Sequence, residues 1–177
     1  NQINHKIVLG AYRTPVQDPE FAVHQLVEIA LRALSPSIND PYTAVTCVDK
    51  LNSVLCTLTT RQFPPCQHID EAAELRLRCK VLSFNDLAAA AFDQIRQEAK
   101  NNVAVTIRLL ESLLTLLHFA YNDEQIQFVI NQTHMIDQQQ ALQTLAEHDA
   151  KAISKKVSLI FELASQKSHT EEQRSSC

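Results

Sequence analysis

The sequence predicts an all-α fold: a single-domain bundle of about six helices with a small two-stranded β element. Three observations lead to this prediction. Apolar residues recur at three- and four-residue steps along several segments, which is the helical period. The chain of 177 residues contains one glycine, Gly10, whereas sheet-rich folds need glycine at turns and bulges. Apolar residues make up 45% of the chain, so residues 1–177 are expected to form one soluble domain with its own core.

The composition also excludes several classes of function. Without a glycine-rich loop, the chain cannot build the phosphate cradle of P-loop or Rossmann proteins, and it lacks the glycines of a nucleophile elbow. The net charge of -4 has the wrong sign for a nucleic-acid partner. The sequence therefore predicts no cofactor, no catalytic residue and no nucleic-acid partner, and it leaves enzyme activity uncertain.

The first two helices have clear start signals. Helix 1 begins at Asp18-Pro19, where the aspartate suits the N-cap and the proline suits the first helical position. It ends before Pro36, because the residue before a proline disfavours helix. Helix 2 repeats the start signal at Asp40-Pro41. The connection between them is short, so the two helices are expected to be antiparallel or steeply crossed.

The next two helices differ in character. Helix 3 is predicted over residues 84–100, after a start at Ser83 and Asp86 that resembles a capping box. Helix 4 is predicted over residues 102–121 and is apolar nearly all round. We therefore expect helix 4 to be the central and most buried helix.

The last two helices are more polar. Helix 5 is predicted from Asp123 to Leu145, and helix 6 begins with Asp149 as its cap. From about residue 165 the sequence becomes polar, and residues 166–177 are expected to form a frayed tail.

Two segments have the pattern of strands. Residues 75–82 alternate apolar and basic side chains, which is the period of a strand. Residues 5–13 are partly β-branched and end near a proline, so they are expected to be extended. Two alternatives are open for residues 5–13: their partner strands lie upstream, or they pair with residues 75–82 at the edge of the bundle.

The cysteines indicate a reducing compartment. Their number is odd, and no two are spaced as a CxxC pair, so we interpret them as reduced thiols of a cytoplasmic domain. Cys66 and His68, with Cys79 beyond, give a weak zinc pattern that is weighed against a plain loop, and the prediction is that no metal is bound. The five are Cys47, Cys56, Cys66, Cys79 and Cys177.

The chain is expected to be a fragment of a longer protein. It contains no run of roughly 18 or more apolar residues, which a spanning helix needs, and we do not expect its first residues to be a signal peptide. It also begins without a methionine. We therefore expect an upstream segment, missing here, to connect this domain to a membrane.

One polar cluster is a candidate site. It straddles the hairpin of helices 1 and 2, where free N–H groups at a helix start and two arginines could bind an anion. The alternative is a capped, salt-bridged hairpin without a ligand, since caps alone explain the two aspartates. The cluster comprises Arg13, Asp18, Gln25, Arg32, Ser35, Asn39, Asp40 and Thr43.

A polar stripe on helix 4 also has two interpretations. Arg108, Glu111, Thr115 and His118 follow the helical period along an otherwise apolar helix. The stripe could line a buried polar channel, or it could be the edge of the helix that faces solvent.

The loop at residues 33–44 and several short motifs resemble a bacterial family of predicted membrane proteins, catalogued as domain of unknown function 2254. The most specific part is Ser35-Pro-Ser-Ile-Asn-Asp-Pro41, and the resemblance runs over residues 7–165. The chain departs from the family pattern at Ser37 and Ala22, where glycines are typical. The other similar segments are Arg13-Thr14, Gln17-Asp18, Phe21, 25–27, 29–32, 92–96 and 103–110.

The resemblance implies a context rather than an activity. It implies that the chain is the soluble C-terminal part of a protein whose transmembrane helices come first. We therefore expect a regulatory or protein-interaction domain of a bacterial inner-membrane protein, facing the cytoplasm. The open alternatives are a module that binds a small anion or a lipid head group at the hairpin, and an enzyme with its site there. A homodimer is also expected, because a bundle separated from its membrane part leaves an apolar face uncovered.

Overall fold

The computed structural model describes residues 13–14 and 18–175. Within this part of the chain lie six α-helices, one short 3₁₀ helix and two strands. The prediction of an all-α fold of six helices with a small two-stranded β element is confirmed. The elements are α1 (Pro19–Leu34), α2 (Pro41–Leu58), β1 (Gln67–Ile69), β2 (Leu75–Arg78), α3 (Phe84–Glu98), the 3₁₀ helix (Ala99–Asn101), α4 (Val103–Phe119), α5 (Asp123–Ala141) and α6 (Glu147–Ser175).

The helix starts lie where the capping signals predict them. Asp18 and Asp40 each accept backbone N–H groups of the first turn of α1 and α2, and a proline follows each of them. Ser83 and Asp86 form a complete capping box at α3. Asn102 accepts a backbone N–H at the start of α4. Because these bonds satisfy donors that no helical carbonyl can reach, the caps fix the first residue of each helix.

Helix α4 lies at the centre of the bundle. It packs against α2 on one side and against α5 and α6 on the others, while α1 packs on α2 and α3. Eight of its 17 residues are buried, a larger share than in α1, α2, α3 or α5. The expectation that helix 4 is the most buried is therefore confirmed for these five helices.

The β element has a different partner from the predicted one. Strand β2 lies within the predicted segment 75–82, but it pairs antiparallel with β1 of the same hairpin. Residues 5–12 of the predicted partner lie outside the described residues. The hairpin forms because the residues between the strands make a tight turn, in which Asp70 accepts the N–H groups of Ala72 and Glu74 at 2.9 and 3.0 Å.

The boundary between α5 and α6 also differs from the prediction. α5 ends at Ala141 rather than Leu145, and the next residue, Leu142, is 86% exposed. The helix thus ends where the next side chain faces solvent, and Leu145 packs against the core from the segment after the helix. α6 begins at Glu147, two residues before the expected cap Asp149, so both carboxylates lie in its first turn, where the helix dipole favours negative charge.

The polar end of α6 is helical. The helix continues to Ser175 through residues that the sequence predicts to fray. Ala164 is buried, and Lys167 donates to the carbonyls of His118 and Ala120 at 3.0 and 3.1 Å. These bonds satisfy carbonyls at the end of α4 and connect α6 to the central helix.

Buried glutamines join α5 to its neighbours. The Gln132 side chain accepts from Arg96 Nε at 3.1 Å and donates to Asp93 Oδ1 at 2.7 Å, both on α3. Gln140 donates to the carbonyl of Lys100 at 3.2 Å. Since buried amides must be paired to be tolerated, these bonds fix the position of α5 against α3 and the 3₁₀ helix.

Candidate functional site

At the start of α1, Arg13 is bound by the first turn of the helix. Its Nε donates to Asp18 at 2.5 Å and its Nη2 to Glu20 at 3.3 Å. The guanidinium also lies over the Phe21 ring, 5.6 Å from the centroid, which is a cation–π contact. Asp18 caps the helix by accepting the N–H of Phe21 at 3.0 Å. The hydrogen bond from Arg13 and then that from Phe21 lower the pKa of Asp18. The two carboxylates share the one positive charge of Arg13, which is therefore paired within this turn.

At the other end of α1, the loop and the start of α2 form a second capped unit. Asp40 accepts the N–H groups of Tyr42 and Thr43 at 3.1 and 3.2 Å, and the Thr43 hydroxyl donates to its other oxygen. The hydroxyl bond from Thr43 is the main cause that lowers the pKa of Asp40. The Ser35 hydroxyl donates to the carbonyl of Arg32 at 2.7 Å. These residues therefore have partners within the unit.

The remaining predicted residues lie on the surface. Arg32 pairs with Glu28, one turn earlier on α1, with N–O distance 2.5 Å, and both side chains are exposed. Gln25 is exposed on the same helix. Asn39 has a φ of 48°, in the left-handed region that asparagine tolerates better than most residues, and this turns the chain from α1 into α2.

Seven of the eight predicted residues thus divide between the two ends of α1, and Gln25 lies between the ends. The helix has 16 residues, so its ends are about 24 Å apart at the usual helical rise. Arg13 and Arg32 do not converge, and each pairs with a carboxylate of its own helix. An anion bound by the whole cluster would need both arginines at one place, which this separation does not allow. Anion binding by the residues at one end of α1 stays a prediction.

A groove of about 720 Å³ runs between α2 and α4, within the range of ligand sites. One of its ends is charged, and the other opens near exposed aromatic residues. Small hydroxyl side chains line its middle, so neither helix fills the space between them. They are Ser53, Thr57 and Thr60 from α2 and the residues after it, and Ser112 and Thr115 from α4.

Four charged residues at one end of the groove join three helices. Arg108 of α4 makes a two-pronged contact with Asp49 of α2, at 2.5 and 2.6 Å. Glu111 accepts from Arg108 at 3.2 Å and from Lys156 of α6 at 2.8 Å. The bond from Lys156 and then that from Arg108 lower the pKa of Glu111, whereas Asp49 raises the pKa of Arg108. We call these four residues the charge network. It balances two charges of each sign.

The other end of the groove opens beside Arg61, which is exposed and forms no ion pair with another described residue. A second groove of about 590 Å³ shares Thr60 and Arg61 with the first and continues to Tyr121. Phe119 borders the first groove and Tyr121 the second, and they are 55% and 74% exposed. We call Arg61, Phe119 and Tyr121 the groove mouth.

A buried glutamine positions the mouth. Gln125 is 4% exposed, and its side-chain oxygen accepts the N–H of Tyr121 at 2.7 Å. Its side-chain nitrogen donates to the carbonyl of Thr59 at 3.0 Å. The end of α2 and the loop between α4 and α5 are therefore joined next to Arg61, so the mouth is built on rigid elements.

Sequence reasoning found part of this groove. Of the polar stripe on α4, Arg108, Glu111 and Thr115 lie on the wall of the groove, and His118 is exposed. This agrees with an edge that solvent reaches rather than with a closed channel. The partner Asp49 is 59 positions from Arg108, and no local signal in the sequence relates the two.

Among the described residues, no three His, Cys, Asp or Glu side chains are grouped so that they could hold a metal ion. In the same part of the chain, no helix has the length and apolar character needed to cross a bilayer.

Comparison with known proteins gives a family and relatives. Residues 1–115 match the model of a family described as predicted membrane proteins, domain of unknown function 2254. The chain is 39% identical over 105 residues to an uncharacterized protein of Mycobacterium bovis and to uncharacterized proteins of two Mycobacterium tuberculosis strains. The match covers 59% of this chain and 20% of each relative, so the chain spans about a fifth of their length. No solved structure matches.

Proposed function

Because this chain belongs to the family of predicted membrane proteins called domain of unknown function 2254, we propose that it is a regulatory domain through which a bacterial inner-membrane protein binds a partner protein. The observation that carries the proposal is the groove mouth. Two exposed aromatic side chains flank an arginine without an ion-pair partner among the described residues, at the point where two grooves join. The partner segment lies along the groove between α2 and α4.

The composition of the mouth favours a protein partner. Tyrosine, phenylalanine and arginine are enriched where proteins bind each other, and they carry much of the binding energy. Phe119 is the last residue of α4, and Gln125 accepts the backbone N–H of Tyr121, so little backbone freedom is lost when the two rings are covered. The partner segment has an apolar side chain that packs on these rings and a carboxylate that pairs with Arg61.

The domain faces the cytoplasm in this proposal. Free thiols are typical of reducing compartments, and Cys47, Cys56, Cys66 and Cys79 are all free. Reporter enzymes fused to the C-terminus of the full-length protein test the side of the membrane. Activity of a cytoplasmic reporter is expected, and activity of a periplasmic reporter would refute this part of the proposal.

Site-specific crosslinking tests the interaction. A photoreactive phenylalanine analogue replaces Phe119 or Tyr121 in the full-length protein in its native membrane. The matched controls carry the analogue at Tyr42 or Leu142, which are 84% and 86% exposed but lie outside the mouth. We expect crosslinks to a protein from the two mouth positions and none from the controls.

A charge reversal makes the crosslinking specific. With Arg61→Glu in the same protein, the crosslinks from the mouth should disappear, because the carboxylate of the partner meets a like charge. Crosslinks that persist with Arg61→Glu, or that arise equally from the control positions, would overturn the proposal. A crosslink to a second copy of the chain would show that the mouth is a homodimer interface, and it would overturn the proposal of a different partner protein.

A further inference from the structure

The base of the β1–β2 hairpin brings two cysteines together. Gln67 pairs with Arg78 in the register of the sheet, so the next pair toward the bundle is Cys66 opposite Cys79. The backbone N–H of Cys79 donates to the carbonyl of Cys66 at 3.0 Å. Both thiols are free, with Cys66 exposed and Cys79 half-buried. The two residues are therefore a hydrogen-bonded cross-strand pair that solvent reaches.

We infer that Cys66 and Cys79 are a reversible dithiol–disulfide site for a small disulfide oxidant such as glutathione disulfide. In a hydrogen-bonded antiparallel pair the Cα atoms are about 5.5 Å apart, inside the range of about 4.4–6.8 Å that disulfides span. The disulfide can therefore form with only a local movement of the two strands.

The same geometry makes the bond easy to reduce. Directly opposite Cβ atoms in a sheet are about 4.5–5.5 Å apart, with hydrogen-bonded pairs at the longer end, whereas a relaxed disulfide holds them about 3.8 Å apart. Closure must pull the strands together, and such strain favours reduction. Strained and exposed disulfides are the labile, regulatory ones, which suits a site that is reduced at rest and oxidised under stress.

The other described thiols are unsuited to this chemistry. Cys47 and Cys56 lie nine positions apart on α2, about 13 Å along a helix, so they cannot bond each other. Burial raises the pKa of both thiols, which reduces the thiolate that reacts with a disulfide. The pair at the hairpin is the one that topology brings within bonding distance among the four described cysteines.

The reaction proceeds by two exchanges. The thiolate of one cysteine attacks a sulfur of glutathione disulfide, forming a mixed disulfide and releasing one glutathione thiolate. The thiolate of the second cysteine then attacks the protein sulfur of that mixed disulfide, and the second glutathione leaves. The protein loses two protons and two electrons, and one glutathione disulfide becomes two glutathione molecules. Excess glutathione reverses both exchanges.

Oxidation should order the hairpin. Every residue of both strands is exposed, and a two-stranded hairpin alone is marginally stable in water. A covalent bond at its base restricts the open forms. Arg76 and Arg78 lie in β2, so trypsin reports on how often the strand opens.

The test uses the purified chain, reduced and then incubated with glutathione disulfide. We expect the intact mass to fall by two hydrogen atoms, and peptide mapping to find Cys66 joined to Cys79. Trypsin should cleave after Arg76 and Arg78 several-fold more slowly than in the reduced chain, and excess glutathione should restore both the mass and the rate.

Single substitutions provide the controls. Cys66→Ser or Cys79→Ser should abolish the internal disulfide and leave a glutathione adduct on the remaining hairpin cysteine, whereas Cys56→Ser and Cys177→Ser should leave the internal disulfide unchanged. The inference is overturned if the unsubstituted chain carries only glutathione adducts, if the bond joins other cysteines or two chains, or if glutathione cannot reduce it. Peptide mapping of the unsubstituted chain decides the matter even where a variant fails to fold.

Discussion

Two of the three buried glutamines of α5, Gln132 and Gln140, allow a sharp test of how polar groups stabilise this bundle. Gln132 is 3% exposed, and both ends of its amide are paired with charged groups of α3, Arg96 and Asp93. Gln140 is 7% exposed, its side-chain nitrogen donates to the carbonyl of Lys100, and its buried side-chain oxygen has no partner among the described residues. Methionine has a similar length and packs adaptably, so Gln→Met at each position removes the polar groups and largely preserves the packing.

The expected cost at Gln132 comes mainly from the arginine. The Asp93 side chain is 43% exposed, so water can replace its lost hydrogen bond. The Arg96 side chain is only 11% exposed, and Gln132→Met leaves its Nε without an acceptor. Since hydrogen bonds to charged groups contribute about 1.5–3 kcal/mol, we expect a loss of about 2–3 kcal/mol. For a chain of this size that lowers Tm by about 4–12 °C.

The expected cost at Gln140 is much smaller. Gln140→Met removes one hydrogen bond between neutral groups, which contributes about 0.5–1.5 kcal/mol. It also removes a buried acceptor without a partner, whose desolvation costs about 1–3 kcal/mol. The two effects oppose each other, so we expect a change within about 1 kcal/mol in either direction.

Urea unfolding of the two variants and the unsubstituted chain, followed by circular dichroism, measures the difference. If Gln140→Met destabilises the chain as much as Gln132→Met, the loss of stability comes from altered packing at both positions. The hydrogen bond from Arg96 to Gln132 would then not be the source of the stabilisation. Unchanged stability of Gln132→Met would refute the stabilising role of this bond directly.

The remaining predictions concern the charge network, the α1–α2 hairpin and the assembly state. In a double-mutant cycle with Asp49→Ala and Arg108→Ala, the coupling free energy should be about 1 kcal/mol, the upper end for exposed pairs. It reaches this value because the contact is two-pronged, and it does not exceed it because each side chain is over a third exposed. Thermal unfolding measures the coupling, and additive effects of the two substitutions would contradict it. The pKa of Glu111 is lowered in the folded chain, so its bonds stabilise the fold at pH values above its unfolded pKa of about 4.3 and lose this effect as the pH falls through its folded pKa. The Tm of Glu111→Gln should therefore vary less with pH in this acidic range than the Tm of the unsubstituted chain. Parallel profiles of Tm against pH would contradict this prediction. Thermal shift with phosphates, carboxylates and lipid head groups tests anion binding at the α1–α2 hairpin, where Arg32→Lys should reduce any ligand-dependent stabilisation, and no shift with any ligand would end that hypothesis. Light scattering should give the mass of a homodimer, and a monomer mass at high concentration would remove this expectation.

The helices could be predicted because the signals that start them are local. Asp18, Asp40 and Ser83 each cap a helix by bonding an N–H within three residues, so the sequence pattern contains the whole interaction. The ends of α5 and α6 were predicted less well. Where α5 ends depends on whether Leu142 can reach the core, and neither period nor capping determines that.

The β element and the groove depend on contacts that a local pattern does not contain. The strand period of residues 75–78 was visible, but β1 has only three residues, too few to show a period. The pairing of Asp49 with Arg108 joins two helices across the bundle. From the sequence, Arg108 is only a charge on an apolar helix, and its role depends on which helix packs beside it.

The extent of the family match divides the groove into two parts. Asp49, Arg61 and Arg108 lie within the matched residues 1–115, whereas Phe119 and Tyr121 lie beyond them. A function that the whole family shares would have to rest on α1–α3, the matched part of α4 and Arg61. Of the charge network, Asp49, Arg108 and Glu111 lie in this part, whereas Lys156 lies beyond it. The aromatic part of the mouth would then determine which partner segment this chain accepts, because rings that pack on apolar side chains discriminate by shape. Exchanging Phe119 and Tyr121 for serine should therefore change the choice of partner, while the Asp49–Arg108 contact keeps α2 and α4 in place.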